Sequence, residues 1–158
     1  MKRLRLYLET SVWNFYFADD APEKRAETLK LFEEIRSGKY EVYISELVVA
    51  EIDRAQEGKR TVLKKLMDDY QPIELEMDES VEELSDKYLS ANIVPGKYEN
   101  DVLHIAYAVA HDMDVVVSWN MKHIVKLKTR MEINGINRKT ASIGYMVIRK
   151  SSSARLRR

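Results

Sequence analysis

Residues Leu4 to Leu8 alternate apolar and mixed positions and end at Glu9-Thr10-Ser11, which predicts a short strand with a polar exit. After Asp19-Asp20 and Pro22, helical spacing predicts a helix to about Arg36. Its apolar stripe is read as Ala26, Leu29, Phe32 and Ile35, with Gly38 as the stop. Glu41 to Ile44 predicts a second strand. Ser45 is placed to cap a helix running to about Gln56, and Val62 to Tyr70 repeats the helical spacing. Ile73 to Met77 reads as a brief strand or an extended segment. Glu79 to Ala91 reads as a helix with Val81, Leu84 and Tyr88 inward, ahead of a Pro95-Gly96 turn. Asn100 is placed to cap a helix from Asp101 to about His111, and Asp114 leads into Val115-Val116-Val117, a strand apolar on both faces. A further helix is predicted to begin near Met121, and Ile143 to Ile148 is the last strand. Strands that alternate with helices around a doubly apolar run predict an α/β sandwich on a parallel sheet. No internal repeat or linker interrupts the pattern, so one domain is expected over residues 1–148, with a basic tail at 149–158.

Composition narrows this picture. With 158 residues, 45% hydrophobic and 33% charged, the chain suits one globular domain. It has no Cys, so any metal must be held by oxygen or imidazole, which favours hard cations. Glu9 cuts the first apolar run too soon for a signal peptide, and no stretch approaches the roughly 20 apolar residues of a membrane span. A cytoplasmic protein is expected. The zero net charge conceals an asymmetry: residues 1–120 hold 15 basic and 25 acidic side chains, and residues 121–158 hold 11 basic and one acidic. The C-terminal part can attract phosphates without making the whole chain a polyanion binder.

In an open parallel α/β sheet, ligands bind beyond the carboxyl ends of the strands, near a topological switch point. Glu9 leaves the first strand there, and Ser118-Trp119-Asn120 leaves the valine-rich strand. Glu51 falls on the same helix face as Leu47, Val48 and Ala55, where a carboxylate needs a metal or a cationic partner such as Arg54. Asp101 suits the first turn of its helix through the dipole, yet it also shares a stripe with Ile105 and Ala108. His104, one turn on, reads either as a packed helix histidine or as a residue supporting the site. Thr10 and Ser11 either satisfy a turn or support the site in the same way.

The segments Leu6-Tyr7-Leu8-Glu9-Thr10-Ser11-Val12, Ser45-Glu46-Leu47-Val48-Val49-Ala50-Glu51-Ile52, Asn100-Asp101-Val102-Leu103-His104-Ile105-Ala106-Tyr107-Ala108 and Val115-Val116-Val117-Ser118-Trp119-Asn120 resemble the PIN-domain family in order and spacing. The resemblance implies a three-layer α/β/α sandwich on a parallel five-stranded sheet. It also implies a Mg²⁺ or Mn²⁺ site and ribonuclease activity such as that of VapC-type toxins, with homodimerisation and a small antitoxin partner. Carried onto this chain, the metal ligands would be Glu9, Glu51 and Asp101, and Asn120 would complete the catalytic cluster. Thr10, Ser11 and His104 would support it. Lys122, Lys126, Lys128 and Arg130 would hold the phosphates of an RNA substrate, with Trp13 and Trp119 read as core or dimer-contact residues ahead of base stacking. Glu9 and Asn120 depart from the family's usual acidic pattern, Glu9 by one methylene and Asn120 by the loss of a charge. They imply attenuated activity and leave open a weakened module that binds RNA or protein without cutting. A phosphatase or nucleotide binder is ranked below both, because no Gly-rich phosphate loop is present.

Overall fold

The computed structural model describes residues 2–90, 99–120 and 144–147, the last four as backbone. The expectations at Pro95-Gly96, Met121, Lys122, Lys126, Lys128, Arg130 and the tail fall outside the described residues. In chain order the elements are β1 (Leu4–Leu8), α1 (Thr10–Phe15), α2 (Pro22–Arg36), β2 (Tyr40–Ser45), α3 (Glu46–Asp53), α4 (Glu57–Tyr70), β3 (Ile73–Leu75), α5 (Glu79–Ser90), α6 (Glu99–Ala110), β4 (Val115–Ser118) and β5 (Gly144–Val147).

The sheet order is β3-β2-β1-β4-β5. Pairings β1 with β2, β1 with β4 and β2 with β3 are parallel, whereas β5 runs antiparallel to β4. The wholly parallel sheet expected from the sequence is thus corrected at one edge. Four strands are parallel, and the β5 edge strand reverses, as edge strands of such sheets often do. The chain lays β2 and β3 on one side of β1 and then places β4 on the other, so the order switches between β1 and β4. Both strands meet there in register, Leu8 opposite Val117, and the Glu9 N–H extends the ladder to the Val117 carbonyl at 3.1 Å.

Local chemistry explains most boundaries. Pro22 opens α2 with its fixed φ, and Gly38, at φ +85, follows the helix in the left-handed region where a Cβ would be strained. Ser45 caps α3 by accepting from the Val48 N–H at 3.3 Å. Three readings need correction. The inward stripe of α2 is Thr28, Leu31 and Phe32 with Ile35 partly buried, and Ala26 is exposed, because the helix is turned by about one residue from the expected face. Asn100 lies inside α6 and does not cap it, since the helix already starts at Glu99. A helix, α1, occupies Thr10–Phe15, where only a polar exit and a turn were expected.

The core centres on β1 and β4: Tyr7, Leu8, Val116 and Val117 are fully buried. Trp13 meets Phe32 edge-on at 5.3 Å, and Phe32 meets Tyr70 at 4.9 Å. Trp119 is buried as well, with its indole N–H donating to Thr28 at 3.0 Å. Burial removes both tryptophans from any base-stacking role and assigns them to the core.

Candidate metal centre

The carboxyl edge of β1 and β4 brings together Glu9, Thr10, Ser11, Glu51 and His104 among the residues singled out from the sequence. Glu9 follows β1 directly and caps α1, its Oε1 accepting from the Ser11 N–H at 3.1 Å. The same oxygen accepts from the Ser118 hydroxyl at 2.7 Å and from the Ser11 hydroxyl. Each hydroxyl is oriented in turn by a backbone donor at the end of β4: Trp119 N–H to Ser11 at 2.9 Å, and Asn120 N–H to Ser118 at 3.0 Å. Hydrogen bonds to the charged form offset the cost of burying this carboxylate, which is only 6% exposed. Among the described residues these bonds all end on Oε1, so Oε2 is not committed by them.

Glu51 reaches the pocket from α3. Its Oε1 accepts from the Thr10 hydroxyl at 2.5 Å and pairs with His104 Nε2 at 2.8 Å. Burial pushes its proton affinity up, but the hydrogen bond and charge of His104, the Thr10 hydroxyl and the charge of Arg54 outweigh that and hold the carboxyl below its ordinary range. The cationic partner weighed for Glu51 from sequence was Arg54; the contact is made by His104. That histidine is 1% exposed, and its other nitrogen, Nδ1, lies 2.6 Å from the Tyr7 hydroxyl.

Asp101, on α6, is half-buried. Its carboxyl is pushed up to about 6, first by burial and then by the charge of Glu9, against the pull of His104, with Glu51 adding to the rise. That coupling places Asp101 in the field of the other two acids, outside the group of Glu9, Glu51 and His104 whose ligand atoms lie close together. Asn120 stands at the exit of β4 with an exposed side chain, tied to the site through its backbone N–H.

Donor chemistry fits a hard or borderline divalent cation. An atom of each of Glu9, Glu51 and His104 lies within 4.8 Å of the others, and because the two His104 nitrogens already face Tyr7 and Glu51, the ion would fall to the carboxylates. Among the described residues neither Glu9 nor Glu51 forms an ion pair with a lysine or arginine. A cation here would offset the charge that raises Asp101. Sequence reasoning did not single out Tyr7 or assign Ser45 and Ser118 to the site. Tyr7 reads as a core strand residue and Ser45 as a helix cap, and both also have hydroxyls inside the pocket's support. A further pair of acids, Asp112 and Asp114, lies at the opposite, amino end of β4, where Asp114 Oδ2 accepts from the Arg5 N–H at 2.8 Å.

Comparison with known proteins agrees with this architecture. The family model of the PIN domain matches residues 6–122, so the chain belongs to the PIN-domain family. A solved structure of VapBC2 from Rickettsia felis, bound to a DNA fragment from their promoter, superposes with a TM-score of 0.54 at 18% identity, covering 78% of this chain and 92% of that one. That likeness shows the fold. No curated protein matches.

Proposed function

We propose that this chain is a metal-dependent endoribonuclease, the toxin of a toxin-antitoxin pair acting in the cytoplasm, with Mg²⁺ or Mn²⁺ held by Glu9, Glu51 and Asp101. The observation that carries the reading is the convergence of Glu9 and Glu51 with His104, and the coupling of Asp101 to both acids, at the switch point of a PIN domain. In this reading the domain spans residues 1–148 as a three-layer α/β/α sandwich, with a basic tail at 149–158. It forms a homodimer, and the likeness to a VapBC2 complex supports a small antitoxin partner. No described helix is long and apolar enough to cross a membrane.

When bound, the ion supplies the positive charge that a phosphodiester needs as it is attacked by water. The chain's own residues prepare the pocket for it. Ser11 and Ser118 fix Glu9 through Oε1, and Thr10 and His104 fix Glu51 through its own Oε1, so both carboxylates are set before a cation arrives. Asp101, with a carboxyl at about 6, is mostly ionised at neutral pH and takes up a proton below that value, in competition with a cation. Asn120 offers an amide oxygen at the mouth of the pocket. Lys122, Lys126, Lys128 and Arg130 hold the flanking phosphates.

One feature favours the runner-up, a weakened module that binds RNA or protein without cutting: Oε1 of Glu9 already accepts from three donors, which leaves that carboxylate with less freedom to reach a cation. The deciding experiment incubates the purified chain with structured and unstructured RNAs in Mn²⁺, Mg²⁺ or chelator. Cleavage that needs the metal and vanishes in Asp101→Asn is the expected result. Absence of cleavage in every metal, with RNA still bound, would establish the binding module instead.

A further inference from the structure

Beneath the acidic pocket runs a buried chain of side chains that ends on Glu51. Tyr7 is fully buried on β1, and its hydroxyl lies 2.7 Å from Ser45 Oγ and 2.6 Å from His104 Nδ1. Ser45 Oγ accepts from the Val48 N–H at 3.3 Å, and His104 Nε2 lies 2.8 Å from Glu51 Oε1. Three elements contribute: β1 gives Tyr7, the β2–α3 junction gives Ser45 and α6 gives His104.

Proton accounting fixes what this chain does. A carboxylate oxygen only accepts, so the close approach of His104 Nε2 to Glu51 requires a proton on Nε2. In the neutral imidazole Nδ1 must then be an acceptor, and the Tyr7 hydroxyl is the donor that faces it. Tyr7 O in turn accepts from Ser45, whose remaining lone pair takes the Val48 N–H, so every hydrogen in the series has an acceptor. In the cationic imidazole Nδ1–H donates to Tyr7, Tyr7 donates to Ser45, and Nε2–H still points at Glu51. Either way the hydroxyl pair can serve the ring's far nitrogen, as donor or as acceptor, and keeps a proton on the nitrogen that faces the carboxylate.

We propose that Tyr7 and Ser45 are positioning residues of the metal centre: acting through His104, they hold Glu51 with one oxygen restrained and the other turned toward a cation. The proposal rests on the metal-dependent reading given above. It explains why a fully buried position on a central strand, next to the valine-rich β4, carries a hydroxyl at all, since phenylalanine would fill the same space without a polar atom to satisfy. Thr10 restrains the same oxygen of Glu51 from α1, so the carboxylate is gripped from two sides of the pocket.

The test uses the full chain and two readouts that do not depend on cleavage. Mn²⁺ affinity is measured by titration calorimetry for wild type, Tyr7→Phe, Ser45→Ala, Glu51→Gln and the Tyr7→Phe/Glu51→Gln double variant. The ring-nitrogen resonances of His104 are read by NMR in the metal-free protein. Tyr7→Phe is expected to weaken Mn²⁺ binding about 10-fold, the low end for loss of a group that orients a metal ligand. It is also expected to move the His104 resonances away from the Nε2–H pattern of wild type. Ser45→Ala should act in the same direction and to a smaller extent, and it decides the matter if Tyr7→Phe does not fold. In the Glu51→Gln background the Tyr7 substitution should cost no further affinity. A Tyr7→Phe protein that melts earlier yet keeps wild-type Mn²⁺ affinity and wild-type His104 resonances overturns the positioning role and leaves the metal centre standing. Failure of wild type itself to bind Mn²⁺ overturns the metal-dependent reading and the positioning role with it.

Discussion

Two edges of one sheet hold buried carboxylates, and the two edges put them to different ends. At the amino edge, Asp114 is 2% exposed and accepts from the Arg5 backbone N–H, while the Asp114 N–H returns to the Arg5 carbonyl at 2.9 Å. The arrangement laces β4 to β1. The guanidinium of Arg5 lies over the Tyr43 ring and bonds the Asp112 carbonyl, so positive charge is already present at that end. At the carboxyl edge, Glu9 and Glu51 meet hydroxyls and one imidazole, and Asp101 lies in the field of both acids. Burial alone therefore does not distinguish a structural acid from a functional one. The distinguishing feature is what faces it: a neighbouring strand's backbone N–H at the amino edge, and other carboxylates at the carboxyl edge.

The largest expected consequence separates the two edges by activity. Glu51→Gln should lower metal-dependent RNA cleavage on the order of 10³-fold, since a charge that helps hold the ion is worth several kcal/mol in the transition state. Asp114→Ala should leave cleavage near wild type and lower stability by about 1–3 kcal/mol, the usual cost of stranding a buried donor, here the Arg5 N–H. Cleavage rates and thermal melts on both variants make the comparison. Equal losses of activity at the two edges would sink the distinction.

Next in size is the response to metal. At a Mn²⁺ concentration 100 times its dissociation constant, a cation that binds only the native state adds about 2.7 kcal/mol of stability. For a domain of this size that corresponds to a rise in Tm of roughly 5–10 °C. Asp114→Ala should show the same rise, because its site is at the other edge. A melt indifferent to Mn²⁺ and Mg²⁺ contradicts a cation site at the carboxyl edge.

The basic segment sharpens the comparison from the side of the ligand. Lys122, Lys126 and Lys128 follow the exit of β4 in the chain. Replacing all three by glutamine should weaken RNA binding and reduce the slope of log affinity against log salt by about 2, from the loss of roughly three phosphate contacts to single-stranded RNA. Filter binding between about 50 and 200 mM salt reads that slope. An unchanged slope removes these lysines from the RNA track.

Much of this was legible in the sequence, for identifiable reasons. The valine run at β4 and the polar exit at Glu9 mark strands and their ends by composition alone, and the switch-point rule then puts Glu9 and Ser118-Trp119-Asn120 at one edge. Glu51 was found because a carboxylate on an apolar helix face needs a partner. The helix α1 was hidden because its cap is a glutamate, outside the favoured capping residues, and it is held in place by Ser118 from a distant strand. The reversal of β5 was hidden because residue pattern does not encode strand direction. Tyr7, Ser45 and His104 each have an ordinary local reading, and only the crossovers that bring β1, β2 and α6 together turn them into one series.

The smallest expected effect tests whether the acids at the carboxyl edge crowd one another in the metal-free protein. The Asp101 carboxyl stands at about 6 in the fold, above its ordinary 3.8, so between those values the native state holds a proton that the unfolded chain releases. Stability from this group is therefore intact below about 4 and is lost as pH rises through about 6. Glu51 runs the other way: held below its ordinary range, it contributes stability at neutral pH that is lost on acidification. After discounting for the partial exposure of Asp101, its cost at pH 7 is about 1 kcal/mol. Asp101→Asn removes that cost and should raise the metal-free Tm by about 2–4 °C at pH 7, with almost no change near pH 4. In saturating Mn²⁺ the order should invert, because the ionised carboxylate then meets a cation that the amide cannot match. The measurement is a set of melts from pH 4 to 8, with chelator and with Mn²⁺. Superimposable metal-free profiles for wild type and Asp101→Asn would mean that neither burial nor the field of Glu9 and Glu51 raises the Asp101 carboxyl, and the carboxyl edge would then hold only two coupled acids.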